Sequence, residues 1–294
     1  MDADRKWVLL IPAVFAVSWA AILIRACSAP STAIAFYRML FASVLLLPLA
    51  LTKFRHSFAE FSRKTIGITL FSGFLLGWHF FFWIKSLDYT TIASSVVLVT
   101  TQPVFVAIFA SIFLKEKAGV RGVMSIVLAL IGTVLIAGFD FHLERQYLWG
   151  DVLALLGAVM AGSYLFLGRV VRPKLAVFPY IFTVYSTAAL TLGVLLIIGG
   201  DIFNIYKPIN YLYFILMAVG PTLIGHSLYN YTLRHVKAHK VGVSIVAEPV
   251  LASIWAIFIF HEYPPLGTIF GGALIIFALV LVFSESSDYS GKGQ

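Results

Sequence analysis

The chain has 294 residues, of which 61% are hydrophobic and 12% are charged, and its mean hydropathy is +0.96. Soluble domains do not sustain such a composition, so the sequence indicates an integral membrane protein. The single cysteine, Cys27, excludes an internal disulfide and a cysteine-built metal site. The net charge of +8 comes from Lys and Arg in the short gaps between apolar runs. That distribution indicates membrane orientation and argues against nucleic acid as a partner.

About 20 apolar residues cross the roughly 30 Å hydrocarbon layer of a bilayer, and the sequence contains ten such runs. In chain order they are residues 7–25, 33–51, 65–87, 92–114, 120–138, 148–170, 178–199, 211–233, 241–260 and 266–283. No gap between runs is long enough to hold a domain, so we expect the helices to carry the function. The first run has no convincing cleavage site after it and is predicted to be a retained helix.

Lys and Arg predict which side of the membrane each gap faces. If both termini and the gaps after runs 2, 4, 6 and 8 share one side, that side holds 16 of the 21 basic residues and the other side holds 4. Positive charge is enriched on the cytoplasmic side, so we expect both termini in the cytoplasm. The remaining basic residue, Arg38, lies within run 2 and is expected to snorkel to the outer interface.

Run 4 is repeated in run 9. TTQPVFVAIFASIFLKE (100–116) aligns without gaps on VAEPVLASIWAIFIFHE (246–262), which places Pro103 on Pro249 at an offset of 146 residues. The offset also carries run 5 onto run 10, so the unit has five helices. An odd number forces the two copies into opposite orientations, as in alternating-access carriers that hold substrate near the midplane. We therefore predict an all-α integral membrane fold of ten transmembrane helices, as two inverted five-helix repeats at residues 1–140 and 146–285.

Two five-helix halves, each with Gln-Pro or Glu-Pro in the fourth helix and a Glu closing that helix, resemble the drug/metabolite transporter superfamily, EamA type. The resemblance covers essentially the whole chain and is to the amino acid exporters of the YddG kind. It implies a permease of the bacterial inner membrane that exports a small-molecule substrate such as an amino acid. The outward direction is implied by the resemblance alone. We expect a monomer or homodimer without a cofactor.

The paired prolines point to the site. Proline inside a helix removes one backbone hydrogen bond, which a membrane helix tolerates where the freed carbonyl meets protein or water. Pro103 and Pro249 therefore predict kinked helices beside a hydrated cavity, or a static bend for packing. Gln102 precedes the first proline near the midplane, and Glu248 precedes the second. A carboxylate at that depth must be paired, protonated or hydrated, so Glu248 is interpreted as a substrate-amine contact, a proton carrier or a hydrogen-bonded structural acid.

Two histidines form a second mirrored pair. His79 and His226 lie at inverted depths in runs 3 and 8, and each begins a polar or aromatic stripe at helical spacing that in run 8 includes Asn230. A lone histidine in an apolar helix is commonly a packing residue. Two mirrored ones favour cavity lining. No HxxxH pair or Cys partner accompanies them, so no metal site is predicted.

Aromatic side chains are abundant, and Trp19, Trp78 and Tyr164 are predicted to be pocket walls able to stack on a flat or cationic substrate. The predicted substrate-binding residues are His79, Gln102, Glu248, His226, Asn230, Trp19, Trp78 and Tyr164.

Other classes of protein fit the sequence less well. It has no GxxxxGK[ST] loop for ATP, so transport would run on a gradient. An integral-membrane enzyme acting on lipid phosphates would need clustered acids or metal ligands, whereas the 13 acidic residues are scattered. A receptor or regulatory subunit is a further alternative. Within the carriers, a nucleotide-sugar or lipid-linked substrate translocator would need Lys or Arg at the midplane, which only Arg38 approaches.

Overall fold

A computed structural model describes residues 7–115, 119–140, 145–200, 204–236, 241, 244–245, 247–264 and 266–284. The regular structure of this part of the chain is entirely helical. The α-helices are α1 Leu10–Ser18, α2 Ala20–Ala26, α3 Ser31–Leu51, α4 Arg63–Ser86, α5 Ile92–Val99, α6 Gln102–Leu114, α7 Val120–Asp140, α8 Arg145–Val171, α9 Val177–Ile198, α10 Pro208–Met217, α11 Ser227–Thr232, α12 Glu248–Phe260 and α13 Leu266–Ser284. A 3₁₀ helix covers Arg55–Glu60, and a π-helix covers Ala218–His226.

Seven helical segments are long and apolar enough to cross a membrane, and they fall on predicted runs 1 to 4 and 6 to 8. They are Trp7–Ala26, Ser31–Leu51, Arg63–Ser86, Ile92–Phe113, Gln146–Val171, Val177–Ile198 and Pro208–Thr232. Runs 5, 9 and 10 contain shorter apolar helices over the described residues, at Val120–Gly132, Glu248–Phe260 and Ile269–Ala278. The chain is thus an all-helical, multi-pass membrane protein, and the full set of ten spans stays a prediction.

The distribution of side chains fits a lipid environment. Large apolar side chains are exposed along the outside of the bundle, for example Leu190 at 72% and Ile198 at 76%. Polar side chains such as Thr69, Ser72 and Asn230 are fully buried at 0%. In lipid, a polar group needs a partner inside the protein, so the interior is where hydrogen-bonding groups, and any polar site, have to lie.

The fourth predicted helix is interrupted just before its proline. Helix α5 ends at Val99 and α6 begins at Gln102, and the amide of Thr101 donates to the carbonyl of Leu98 at 3.2 Å. Pro103 lies in the first turn of α6. Proline is tolerated there because the first turn has no intrahelical acceptor for its N–H.

Helix α12 begins in the same way. Its first residue is Glu248, Pro249 lies in its first turn, and the amide of Ala247 donates to the carbonyl of Ser244 at 3.3 Å. Each of these positions lies 146 residues after its counterpart at the first break. The disturbance that the prolines predict therefore takes the form of a short interruption, with the residue before proline as the first residue of the helix that follows.

The two half-helices also end alike. Helices α6 and α12 both have 13 residues, and each is followed by a residue in the left-handed conformation, Lys115 at φ 54° and His261 at φ 55°. These two residues are again 146 positions apart. Conformations of this kind are uncommon outside glycine, so their recurrence at one offset is a further likeness between the two aligned segments.

Glycines bring helices into close contact at two places in the bundle. Helix α4 packs against α8 and α9, and a Cβ added at Gly73 would lie 2.6 Å from the carbonyl oxygen of Val184 in α9. Helix α7 packs against α13, where a Cβ at Gly132 would lie 2.6 Å from the carbonyl oxygen of Gly271. A side chain larger than hydrogen cannot fit at either contact, so both glycines are fixed by packing.

Arg38 does not reach the membrane interface. It is 0% exposed in α3, and its Nε donates to Thr222 Oγ1 in the π-helix at 2.7 Å. Its guanidinium carbon lies 4.2 Å from the centre of the Phe80 ring. The expectation that Arg38 snorkels outward is wrong, because hydropathy indicates depth along a helix but not the face on which a side chain lies.

The π-helix supplies the partner for Arg38. Thr222 Oγ1 donates to the carbonyl of Met217, five residues earlier, at 3.0 Å, and Pro221 lies within the same segment. The carbonyl of Thr222 accepts from the hydroxyl of Tyr185 at 3.3 Å. The wider turns of a π-helix leave carbonyls available to side chains, and here two side chains satisfy them.

Candidate functional site

A central cavity brings together five of the eight predicted site residues. These are His79 from α4, Gln102 from α6, Tyr164 from α8, His226 from the π-helix and Glu248 from α12. The rest of its lining is Val17, Trp83, Val99, Leu165, Tyr229 and Ile245. The cavity is therefore lined both by the segment before residue 140 and by the segment after residue 146, and it lies where α6 and α12 begin.

The central cavity is small in this structure. Its volume is about 20 Å³, which is room for one or two water molecules. A metabolite of amino-acid size does not fit in that volume. A molecule of that size could bind here only if the walls of the cavity moved apart.

His79 is held in one orientation by α8. Its Nδ1 lies 3.0 Å from the carbonyl oxygen of Gly157, and its ring is stacked on Trp83 at 5.9 Å between centres. Because a carbonyl oxygen only accepts, Nδ1 carries the hydrogen and the neutral ring keeps Nε2 as an acceptor. The ring of His226 lies 6.4 Å away. The mirrored histidines that the sequence singles out thus lie on one cavity.

Asn230 lies behind the cavity wall rather than in it. Its Nδ2 donates to the hydroxyl of Tyr164 at 2.6 Å and to the carbonyl of His226 at 2.8 Å. Tyr164 does line the cavity and is 1% exposed. Asn230 therefore positions Tyr164, whereas the sequence predicts it as a direct substrate contact. That contact stays a prediction.

Gln102 and Glu248 are the first residues of the two half-helices, and both are buried, at 7% and 4% exposed. Within the described part of the chain, Glu248 forms no ion pair. The carboxyl group of Glu248 and the amide of Gln102 are thus left to face the cavity and whatever occupies it.

The structure does not bring Trp19 and Trp78 to the cavity. Trp19 is stacked on Trp255 with ring centres 4.8 Å apart, and Trp78 is stacked on Phe82 at 5.2 Å. Their predicted role as pocket walls stays a prediction that this geometry does not support. Trp83 lines the cavity instead; it lies four residues after His79, on the same helix face, in the stripe of residues that begins at that histidine.

Glu262, the glutamate at the end of the second aligned segment, makes a contact that stabilises the structure. Glu262 Oε1 accepts from the backbone amide of Ile92, the first residue of α5, at 3.1 Å. Its counterpart Glu116 lies outside the described residues. Among the residues that were described, no three His, Cys, Asp or Glu side chains are grouped closely enough to hold a metal ion.

A larger pocket of about 250 Å³ lies between α5, α12 and α13. Its lining is aliphatic apart from Ser253. Because it offers no charged side chain to orient a polar metabolite, the smaller central cavity is the better candidate for the functional site.

Comparison with known proteins defines the class of protein. The model of the EamA-like transporter family matches residues 6–138 and again residues 148–284. The protein therefore belongs to the EamA-like transporter family, a part of the drug/metabolite transporter superfamily.

Individual relatives are also transporters. The chain is 25% identical to the transporter YxxF of Bacillus subtilis over 76% of this chain and 72% of that protein. It is 26% identical to the S-adenosylmethionine uptake transporter of Rickettsia bellii over 88% of this chain and 86% of that protein. A solved crystal structure at 16% identity has the same fold, with a TM-score of 0.76, 98% of this chain covered and 100% of that chain.

Proposed function

We propose that the protein is a secondary transporter of a small metabolite such as an amino acid, working by alternating access between two inverted five-helix halves, residues 1–140 and 146–285. The observation that carries this proposal is the central cavity, which is lined from both segments and lies at the two helix breaks. Carriers built from inverted repeats hold their substrate at such breaks, between halves that rock against each other.

The contacts follow from the cavity lining. Glu248 accepts hydrogen bonds from an ammonium group of the substrate, and Gln102 contributes a neutral amide on the opposite half. His79 Nε2 and the hydroxyl of Tyr164 add polar contacts to the same space. Because the cavity is small, substrate binding is coupled to separation of the halves, which is the step that an alternating-access carrier requires.

Direction and location are part of the proposal. We place the protein in the bacterial inner membrane with both termini in the cytoplasm, as a monomer or homodimer that moves its substrate outward. The Rickettsia bellii relative is named for uptake, so transport assays have to be run in both directions. S-adenosylmethionine, the substrate in that relative's name, is itself an amino acid derivative and belongs in the panel of compounds tested.

A nucleotide-sugar or lipid-linked substrate is the alternative within the carriers. The observation that favours it is Arg38, a buried cation beside the cavity lining. A diphosphate would need more than one such cation, and Glu248 would repel it. A zwitterionic substrate carries one charge of each sign and therefore complements Arg38 and Glu248 better than a diphosphate does.

The experiment is counterflow in proteoliposomes with labelled amino acids, S-adenosylmethionine and a nucleotide sugar. We expect accumulation of at least one amino-acid-like compound, and a loss of accumulation in Gln102→Ala and His79→Ala. Phe71→Leu, at an exposed position on α4, is the matched control and keeps wild-type accumulation. No accumulation of any compound would contradict the function, and accumulation unchanged in both cavity variants would contradict the site.

A further inference from the structure

The buried guanidinium of Arg38 has N–H groups that lack a hydrogen-bond acceptor in the described part of the chain. Its Nε is bonded to Thr222 Oγ1 at 2.7 Å, but Nη1 and Nη2 are buried and have no hydrogen-bond partner in the described part of the chain. A guanidinium presents five N–H groups and accepts nothing. A buried charge without a hydrogen-bonding partner costs several kcal/mol, so the absence of an acceptor at both terminal nitrogens calls for an explanation.

The ring of Phe80 satisfies part of the charge. The guanidinium carbon lies 4.2 Å from the centre of that ring and 5.9 Å from the centre of the Trp83 ring. Cation–π contacts of this kind act through the ring faces. They leave the N–H groups at the edge of the guanidinium without an acceptor.

Further polar atoms around the same cavity also lack partners. Trp83 Nε1, His226 Nδ1 and Tyr229 Oη are buried and have no hydrogen-bond partner among the described residues, and all three side chains line the central cavity. An indole N–H only donates, and a hydroxyl or a neutral imidazole nitrogen can donate. We call the unpaired groups of Arg38, Trp83, His226 and Tyr229 the donor cluster.

The hydrogen-bond acceptors of the central cavity lie on another part of its wall. Glu248 lines the same cavity from the start of α12, and Gln102 lines it from the start of α6. Within the described part of the chain, Arg38 and Glu248 form no ion pair. The site thus has a donor-rich part around Arg38 and an acceptor-bearing part at Glu248 and Gln102.

We propose that the donor cluster is a carboxylate-binding subsite and that Arg38 sets the substrate class of the transporter. The substrate carries a carboxylate, which Arg38 binds with its two terminal nitrogens, and an ammonium group, which Glu248 binds. This inference rests on the proposed function, since it names the substrate class of the same cavity. Bidentate pairing of a guanidinium with a carboxylate is both strong and directional.

Charge balance favours a carboxylate over a phosphate. One carboxyl group, that of Glu248, lines the cavity, and one guanidinium, that of Arg38, lies next to the lining residue Trp83, with its carbon 5.9 Å from the centre of that ring. A zwitterion with one charge of each sign complements this pair. A phosphate monoester carries close to two negative charges at neutral pH, and one of them would be left without a partner in a low-dielectric site. O-phosphoethanolamine therefore serves as the probe for the alternative oxyanion.

The experiment measures ligand binding to the full chain in lipid nanodiscs by thermal shift. The probes are the twenty L-amino acids, each as free acid and as carboxamide, together with O-phosphoethanolamine. We expect at least one free acid to bind at least about 10-fold more tightly than its amide, the size of a charge-assisted hydrogen bond. Equal binding of acid and amide, binding of no amino acid, or preferred binding of the phosphate would overturn the subsite.

Variants then assign the preference to Arg38. In Arg38→Gln the ratio of acid to amide binding falls to about 1, because the amide side chain has no charge to attract a carboxylate. Thr222→Val removes the anchor of Arg38 but leaves its charge, so we expect the ratio to fall less than in Arg38→Gln. If Arg38→Gln does not fold, Trp83→Phe removes one donor of the cluster, and we expect the ratio to fall about 3-fold. An unchanged ratio of acid to amide binding in Arg38→Gln would show that Arg38 has a purely structural role. If Trp83→Phe is measured in its place, an unchanged ratio there would show that the donor cluster has a purely structural role.

The same proteins in counterflow separate the two proposals. Free acids that bind selectively but are not transported would support the carboxylate subsite and overturn the proposed function. Transport of acids and amides at equal rates would support the proposed function and overturn the subsite.

Discussion

At the first helix break the chain places a neutral amide, Gln102, and at the second break a carboxyl group, Glu248, although the backbone turns in the same way at both. The two positions are equivalent in the repeat and face one cavity. The geometry of the two breaks is therefore alike, while the side chains at the two positions differ. The fold therefore provides two equivalent positions, and the difference between their side chains makes the two sides of the cavity chemically unlike.

The largest expected effect comes from making the second break resemble the first. Glu248→Gln replaces the charged acceptor with a neutral one, and since hydrogen bonds to charged groups contribute about 1.5–3 kcal/mol, we expect the initial rate of counterflow to fall at least about 10-fold. Glu60→Gln, at an exposed acid, is the matched control and keeps the wild-type rate. A wild-type rate in Glu248→Gln would show that the asymmetry between the breaks has no role in transport.

A smaller effect is expected at the first break. Gln102→Leu removes a neutral hydrogen-bonding group of similar volume, which corresponds to about 1 kcal/mol and a roughly 5-fold loss of counterflow rate. The rate is measured in the same proteoliposomes as for Glu248→Gln. A loss larger than that of Glu248→Gln would reverse the ranking of the two breaks.

Substitution of the two prolines is expected to join the helical segments on either side of each break. Pro103→Ala and Pro249→Ala each restore a backbone N–H in the first turn after the break, which allows the two helical pieces to join by a hydrogen bond four residues back. We expect the counterflow rate to fall roughly 3-fold while the melting temperature stays the same or rises. A parallel loss of stability and transport in both variants would indicate that the prolines serve packing alone.

The smallest effect is expected for the tryptophan that the sequence favours and the structure places outside the cavity. Trp78→Phe keeps an aromatic ring against Phe82, so we expect a counterflow rate within about 2-fold of wild type. Trp83→Phe is the comparison, because Trp83 lines the cavity. A loss of counterflow rate in Trp78→Phe that exceeds about 2-fold and equals the loss in Trp83→Phe would indicate that Trp78 is part of the site.

Much of the fold follows from sequence periodicity and the repeat. The gapless alignment of residues 100–116 with 246–262 anticipates helices α6 and α12, which start, contain proline and end at matching positions. Proline chemistry also predicts a disturbance of the helix at that point. It does not distinguish a kink from a break, because the choice depends on whether the turn before proline is paired, as the amide of Thr101 is with Leu98.

The site is predicted only in part, for reasons that are physical. Spacing along a helix groups residues by face, which brings His79 and His226 to one cavity but also places Trp78 and Trp83 within five residues of each other. Which tryptophan faces inward depends on how α4 packs against α8 and α9. The sequence predicts Arg38 at the interface for the same reason, since depth can be read from the sequence and the contact of Arg38 with the π-helix cannot.

The most direct test of the inverted arrangement uses the two left-handed residues that follow α6 and α12. Lys115 and His261 are exposed and equivalent in the repeat, so Lys115→Cys and His261→Cys are introduced one at a time with Cys27→Ser, and right-side-out vesicles are treated with a membrane-impermeant maleimide. We predict labelling of His261→Cys in intact vesicles and of Lys115→Cys only after the vesicles are opened. Labelling of both from the same side would contradict the inverted halves and the carrier built on them.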